Sequence, residues 1–258
     1  VRLPEHFHAA GDHIAIDLPG GHARFTTRRG GVSAGPFASL NLGISLPPDS
    51  GPPDAAANVA ANRARLADEA GVPVAGFAHD HQVHGCDVVR VSSAPDLHWA
   101  EARPTDRAAD GQATALPGVA TVALAADCLP VALIAPGAVA MLHAGWRGLA
   151  AGVLAAGVAA VRELGGAAPP VAAIGPGAGR CCYSVGDEVL AAFAQYGPRV
   201  RDGRRVDLKQ IAALQLRAAG VPEVHDAGLC TICEPELFFS HRREGGRTGR
   251  QAGVAWRS

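Results

Sequence analysis

The chain has almost no lysine: of its 23 basic residues only Lys209 is one, and the rest are arginine. With no G-x-x-x-x-G-K-[ST] run either, a P-loop nucleotide hydrolase is excluded. It also lacks a charge of one sign. The 24 acidic residues leave a formal net charge of −1, so neither a nucleic-acid groove nor a polybasic membrane surface is implied. Six cysteines in 258 residues are too sparse for a disulfide scaffold. The opening VRLPEHFHAA shows no basic region followed by an apolar run, and a reducing cytoplasm is the expected setting. Apolar stretches inside 118–135 and 149–161 are broken by Gly, Pro or Asp before the roughly 18 residues that a membrane span needs, so none is expected.

What is present is buriable surface: 48% of residues are hydrophobic against 18% charged, which rules out disorder for the body of the chain. At about 150 residues per domain the length allows one large α/β unit or two small ones. The Pro-rich stretch with Pro47, Pro48, Pro52 and Pro53 falls too early for a boundary, and a single domain over 1–258 is expected.

Short strands are expected at 12–18 and 23–27, followed by a loop through residue 45. Asp54 is placed to cap a helix over 55–70 that buries Val59, Leu66 and Ala70 and closes at Gly71. Strands are expected near 77–84 and 87–92. The nearly unbroken apolar runs 118–127, 131–135 and 138–144 suit strands covered on both faces. A small-residue helix over 147–164, a strand at 171–175 and helices at 187–196 and 207–219 complete the order, ahead of a Cys-containing loop. The fold class is α+β, with helices covering a mixed sheet.

Three residues of ligand type sit where expected strands end: His84 in QVHGCDV, Cys128 in AADCLPV and His143 in MLHAGWRG. Two imidazoles and one thiolate around Zn²⁺ leave a net +1 and one open position, able to polarise water, phosphate or a carbonyl. Spacings of 44 and 15 residues match no local zinc-finger rule. On a strand, alternation sends His79 and His81 to the face opposite His84. The run GPGAGR (175–180) reads as a tight turn whose N–H groups suit an anion. Cys230 and Cys233 form a C-x-x-C without a second pair, and Cys181 and Cys182 read as packed thiols.

Seven segments occur in order: FTTRRGGVSAGPFASLNLG, HQVHG, ADCLPV, HAGWRG, IGPGAGRCCYSVGDEV, GLCTICEPELFFSHRR and TGRQAGVAW. Together they resemble the family first described as multicopper polyphenol oxidases or laccases, whose members are now regarded as purine nucleoside phosphorylases with an additional adenosine deaminase activity. The resemblance covers about residues 24–257. It implies an α/β/β/α sandwich with two sheets packed between helical layers, a monomer, and zinc, with copper second, on His84, Cys128 and His143. Two departures stand out: the family commonly has Glu where this chain has Ser184, and Tyr where it has His241.

The implied reaction cleaves a purine nucleoside (adenosine, inosine or methylthioadenosine) with phosphate to give the free base and the sugar 1-phosphate, and the same metal serves deamination by lowering the pKa of water. Arg28 and Arg147 are the candidates for phosphate, and Asn41 and Gln82 for ribose or base. Asp127 is a candidate to orient a ligand imidazole or shuttle a proton. Three competitors use the same residues. In a cysteine hydrolase, such as an amidase editing peptidoglycan precursors, Cys128 is the nucleophile and His84 or His143 its base. A copper oxidase needs a trinuclear cluster that His6, His8, His79 and His81 do not supply. A non-enzymatic partner-binding protein has no independent support in the sequence.

Overall fold

Two apolar runs, Leu129–Ala135 and Ala138–Ala144, pair antiparallel and are buried along their whole length. They are the centre of the computed structural model, which describes residues 2–44, 51–95, 97–103, 105–165 and 168–258. In chain order the strands are β1 (Phe7–Ala10), β2 (His13–Leu18), β3 (Gly21–Phe25), β4 (Phe77–Ala78), β5 (Val88–Val91), β6 (Gly111–Thr114) and β7 (Ala120–Ala125). The central pair are β8 and β9, followed by β10 (Val171–Ile174), β11 (Arg201–Asp202), β12 (Arg205–Val206), β13 (Val224–Asp226) and β14 (Gln251–Arg257). The helices are α1 (Ala56–Ala70), α2 (Trp146–Ala151), α3 (Val153–Gly165), α4 (Asp187–Ala192) and α5 (Leu208–Ala218).

One sheet has the order β1-β2-β3-β14-β7-β4 and the other β13-β10-β8-β9-β6-β5. Both are mixed: β4 with β7, β5 with β6 and β10 with β13 are parallel, and the remaining pairs in these sheets are antiparallel. Strand alternation assigns the faces. Val139 and Met141 of β9 meet Phe25, Ile16 and Ala123 in the layer between the sheets, while Ala140 and Leu142 pack against Leu154 and Val158 of α3. On the far side Leu66 and Ala67 of α1 cover Val122 and Val254. The layers are therefore helix, sheet, sheet, helix, an α+β sandwich with mixed sheets, as expected.

Several elements differ from expectation. Only Phe77–Ala78 of the 77–84 segment is strand, because the backbone of residues 83–85 turns to hydrogen-bond a buried carboxylate. The helix over 147–164 is two helices, broken at Gly152, whose φ of +93° is a left-handed value that suits glycine. Asp54 does not cap α1. Ala55 is its N-cap residue, and the Asp54 carboxylate instead accepts from Ser33, Asn41 and Asn58. Strands β1, β6, β11, β12, β13 and β14 have no counterpart in the sequence expectations, although β14 lies inside a sheet between β3 and β7 and β6 between β9 and β5. Pro47 and Pro48 fall outside the described residues; Pro52 and Pro53 are irregular. Among the described residues no helix is long and apolar enough to cross a membrane.

Close approach fixes one glycine beside the sandwich core. A Cβ on Gly175 would lie 2.3 Å from the Phe25 ring, itself buried between the sheets. Gly175→Ala is therefore expected to destabilise the fold by about 1–3 kcal/mol through overpacking, measured by thermal or urea unfolding.

Candidate active site

His84, Cys128 and His143 come from three separate places: a loop, the junction of two strands and the end of a strand. His84 lies in the turn after β4 with φ +61°, Cys128 lies between β7 and β8, and His143 is the penultimate residue of β9. By alternation His143 continues the series of Val139 and Met141, so its ring emerges where the layer between the sheets ends. Their ligand atoms all lie within 4.8 Å of one another. The two imidazole rings are 4.9 Å apart and inclined at 70°. A Cβ on Gly145 would stand 2.9 Å from the Cys128 sulfur and 3.2 Å from His84 Cδ2, so glycine there keeps the space beside the three donors open.

Asp110, just before β6, holds both histidines. Its fully buried carboxylate accepts from the backbone N–H groups of Val83 (3.1 Å), His84 (2.9 Å) and Gly85 (2.6 Å). It also accepts from Nδ1 of His143 at 2.8 Å, and its own carbonyl takes the His143 N–H at 2.7 Å. Burial alone would push the Asp110 carboxyl up. The hydrogen bonds from His143 and Gly85 outweigh that and hold it below the usual carboxylate range. With Nδ1 engaged, Nε2 of His143 is the nitrogen free for a ligand.

Electrostatics at the triad favour an anionic sulfur. Desolvation raises the Cys128 thiol, but His143 and His84 beside it more than reverse this and hold it down at about 6. For His143, burial is likewise outweighed by Cys128 and Asp110, which raise it. A thiolate and two imidazoles, one fixed by a carboxylate, form a donor set for a borderline-soft divalent metal. The residues present fit such an ion.

The triad opens on a cavity of about 590 Å³. Three arginines line it: Arg147, Arg242 and Arg250. Arg147 stacks over Trp146 at 4.3 Å and Arg242 over Tyr183 at 4.8 Å, so each guanidinium is backed by an aromatic face that also borders the cavity. Arg250 is lowered by burial, the mark of a desolvated cation. Burial and Arg250 also lower His241, which lines the same wall.

The expected site residues divide. Arg147 and Gln82 line the cavity, although the Gln82 amide is engaged with the backbone of Leu124, donating at 2.8 Å and accepting at 2.7 Å. Asp127 lines it too, but its oxygens accept from Thr231 Oγ1 and the Arg242 N–H; the residue that orients an imidazole is Asp110. Arg28 is not in the cavity wall. It donates to Ala38 O and Pro235 O, pairs with Glu244 and lies over Phe239, joining two loops. Asn41 is buried and bonded to Gly43, Asp54 and Arg250.

His79 and His81 line the cavity alongside His84, because residues 79–84 are a loop and strand alternation does not apply. Ser184 is exposed and outside the wall, whereas His241 is in it. The glycine-rich turn offers no free anion cradle: the N–H groups of Gly175, Gly177 and Ala178 go to Pro130, Leu229 and Asp127 carbonyls, and that of Gly179 to the Cys230 sulfur. Sequence reasoning missed Asp110, Arg242 and Arg250. Nothing local marks Asp110, since the strand that follows it is the mixed sequence GQAT, and the two arginines lie inside segments already singled out.

A sequence model of the family described as multi-copper polyphenol oxidoreductase laccase matches residues 22–258. Purine nucleoside phosphorylase YlmD of Geobacillus stearothermophilus is 38% identical over 92% of this chain and 90% of its own. A purine nucleoside phosphorylase of Xylella fastidiosa is 41% identical over 92% and 93%. The crystal structure of Geobacillus stearothermophilus YlmD superimposes with a TM-score of 0.86, at 36% identity, over 98% of this chain and 99% of that one. Bacillus licheniformis YfiH, a hypothetical protein, does so with 0.82 at 30% identity, over 98% and 99%.

Replacing the carboxylate by an amide leaves one polar face wrong for the N–H groups of residues 83–85 and weakens the hold on His143. Asp110→Asn is expected to lower divalent-metal affinity about 10–100-fold, read by competition with a chromophoric chelator.

Proposed function

Because the chain belongs to the family described as multi-copper polyphenol oxidoreductase laccase, and relatives matching nine-tenths of it are named purine nucleoside phosphorylases, we propose that it cleaves purine nucleosides with phosphate. The single observation that carries this is the juxtaposition, across one 590 Å³ cavity, of a metal-ligating triad and three arginines. The metal we assign to His84, Cys128 and His143 is zinc. Bound there, it supplies a Lewis acid for an oxygen, or a water of pKa near 7.

In phosphorolysis the C1′–N9 bond breaks, a C1′–oxygen bond to phosphate forms, and the departing purine takes up a proton. Arg147, Arg242 and Arg250 gather the phosphate oxygens, the planar guanidinium being suited to bidentate contact. Trp146 and Tyr183 offer aromatic faces and Leu124 to Ala126 an apolar edge for the base. His241, held neutral by its surroundings, is able to hydrogen-bond a substrate nitrogen or oxygen without adding charge. Adenosine, inosine and methylthioadenosine are the substrates we propose, with deamination of adenosine at the same metal as a second activity. The expected setting is the cytoplasm and the expected state a monomer.

One observation favours a second reading, a cysteine amidase: Cys128 faces His143, and His143 is held by Asp110, the order of a nucleophile, its base and the group that orients the base. In chelator-treated protein, iodoacetamide should label Cys128 with a midpoint near pH 6, because above that pH the sulfur is thiolate, and zinc should protect it. If metal-free protein hydrolyses amides, labelling of Cys128 abolishes that hydrolysis, and zinc-replete protein does nothing to nucleosides, the amidase reading replaces the first.

Product analysis by mass spectrometry of zinc-replete protein with adenosine tests the proposal. Adenine and ribose 1-phosphate, formed only with phosphate, are expected, with inosine reporting the deaminase. Cys128→Ala should lose metal and turnover together; full phosphorolysis by that variant removes zinc from the mechanism.

A further inference from the structure

The remaining cysteine-rich loops do not carry packed thiols or an isolated C-x-x-C. Cys181 and Cys182, in the turn between β10 and α4, meet Cys230 and Cys233, in the loop after β13, with the four sulfurs all within 4.8 Å of one another. The Cys233 sulfur is 3.4 Å from that of Cys181 and 3.3 Å from that of Cys182. Sulfurs at the corners of a tetrahedron around a metal with bonds of about 2.3 Å are about 3.8 Å apart, so this spacing suits a tetrathiolate ion. It does not suit a disulfide. All four are free thiols, and one sulfur nearly equidistant from two others can be bonded to only one of them.

The surrounding backbone is arranged for negative sulfur. The N–H groups of Gly179, Cys233 and Ile232 are directed at the Cys230 sulfur, the first at 3.2 Å. A Cβ on Gly179 would lie 3.2 Å from the Cys181 sulfur and 3.4 Å from that of Cys230, so glycine lets the two loops close on each other. Arg243 fixes the second loop from behind by donating to the carbonyls of Thr231 and Ile232.

We propose that Cys181, Cys182, Cys230 and Cys233 bind a second, structural Zn²⁺. Each thiol gives up its proton on binding, and the ion clamps two walls of the cavity together. Cys182 precedes Tyr183, which lines the cavity, and Thr231, between Cys230 and Cys233, holds the Asp127 carboxylate at 2.7 Å. The clamp thus sets the far side of the pocket independently of the His84, Cys128 and His143 triad, and does not depend on the reaction assigned there.

Metal content of anaerobically purified full-length protein tests this. Wild type is expected to carry two zinc ions per chain, and Cys128→Ala to keep one. Cobalt added to zinc-stripped Cys128→Ala should give the intense sulfur-to-metal charge-transfer and visible bands of tetrahedral thiolate coordination. In the Cys128→Ala background, Cys181→Ser with Cys233→Ser should abolish both signals. The proposal is overturned if wild type carries at most one ion and Cys128→Ala none. It is equally overturned if cobalt gives no thiolate spectrum, or if these cysteines are found as disulfides in protein that never met oxygen. Loss of the Cys128 site alone leaves one ion, so failure of the first assignment is distinguishable.

Discussion

A buried carboxylate is expensive to desolvate unless donors surround it, and Asp110 is surrounded. Three successive N–H groups of the loop that carries His84, and the ring of His143, all terminate on its two oxygens. This couples a loop to a strand. His143 is built into β9 and cannot move far, whereas His84 rides on a turn with a left-handed backbone that would otherwise have many alternatives. The shared carboxylate gives both imidazoles one frame of reference, and the sulfur between β7 and β8 completes it.

The sandwich determines where that frame opens. Side chains alternate along β8 and β9 between the helix layer and the second sheet; aliphatic residues dominate the first layer, while Phe7, Phe25, Phe238 and Met141 add bulk to the second. At the end of β9 the filling stops, and the series of apolar side chains between the sheets is succeeded by His143, Cys128 and the arginine-lined cavity. The aromatic backing of Arg147 and Arg242 has a structural purpose of its own, since it holds two long, partly exposed cationic side chains against the cavity wall.

Legibility in the sequence followed burial. Strands β8 and β9 stand out because both faces are covered and no polar residue interrupts them until His143; Cys128 and His143, at their ends, stand out for the same reason. The loop at 79–85 was misread as a strand because its conformation answers to Asp110, more than 20 residues away in sequence, and no local pattern encodes that demand. Arg28 and Asn41 lie in a segment shared with the family, yet their hydrogen bonds serve loop docking, and residue type alone does not separate an arginine that staples from one that binds. The paired cysteines illustrate the opposite failure: Cys181–Cys182 and Cys230–Cys233 look unremarkable apart and meet only through the parallel pairing of β10 with β13.

The position of β14 has a consequence for the sheet that contains it. This late strand is the shared neighbour of β3 and β7, both of which lie in the first half of the chain, more than 120 residues before it. Without residues 251–257, one edge of β3 and one edge of β7 would be left unpaired, and Arg250 would lose the strand it leads into. Removing β14 would therefore unzip β3 from β7 and take away the strand that follows Arg250 in the cavity wall.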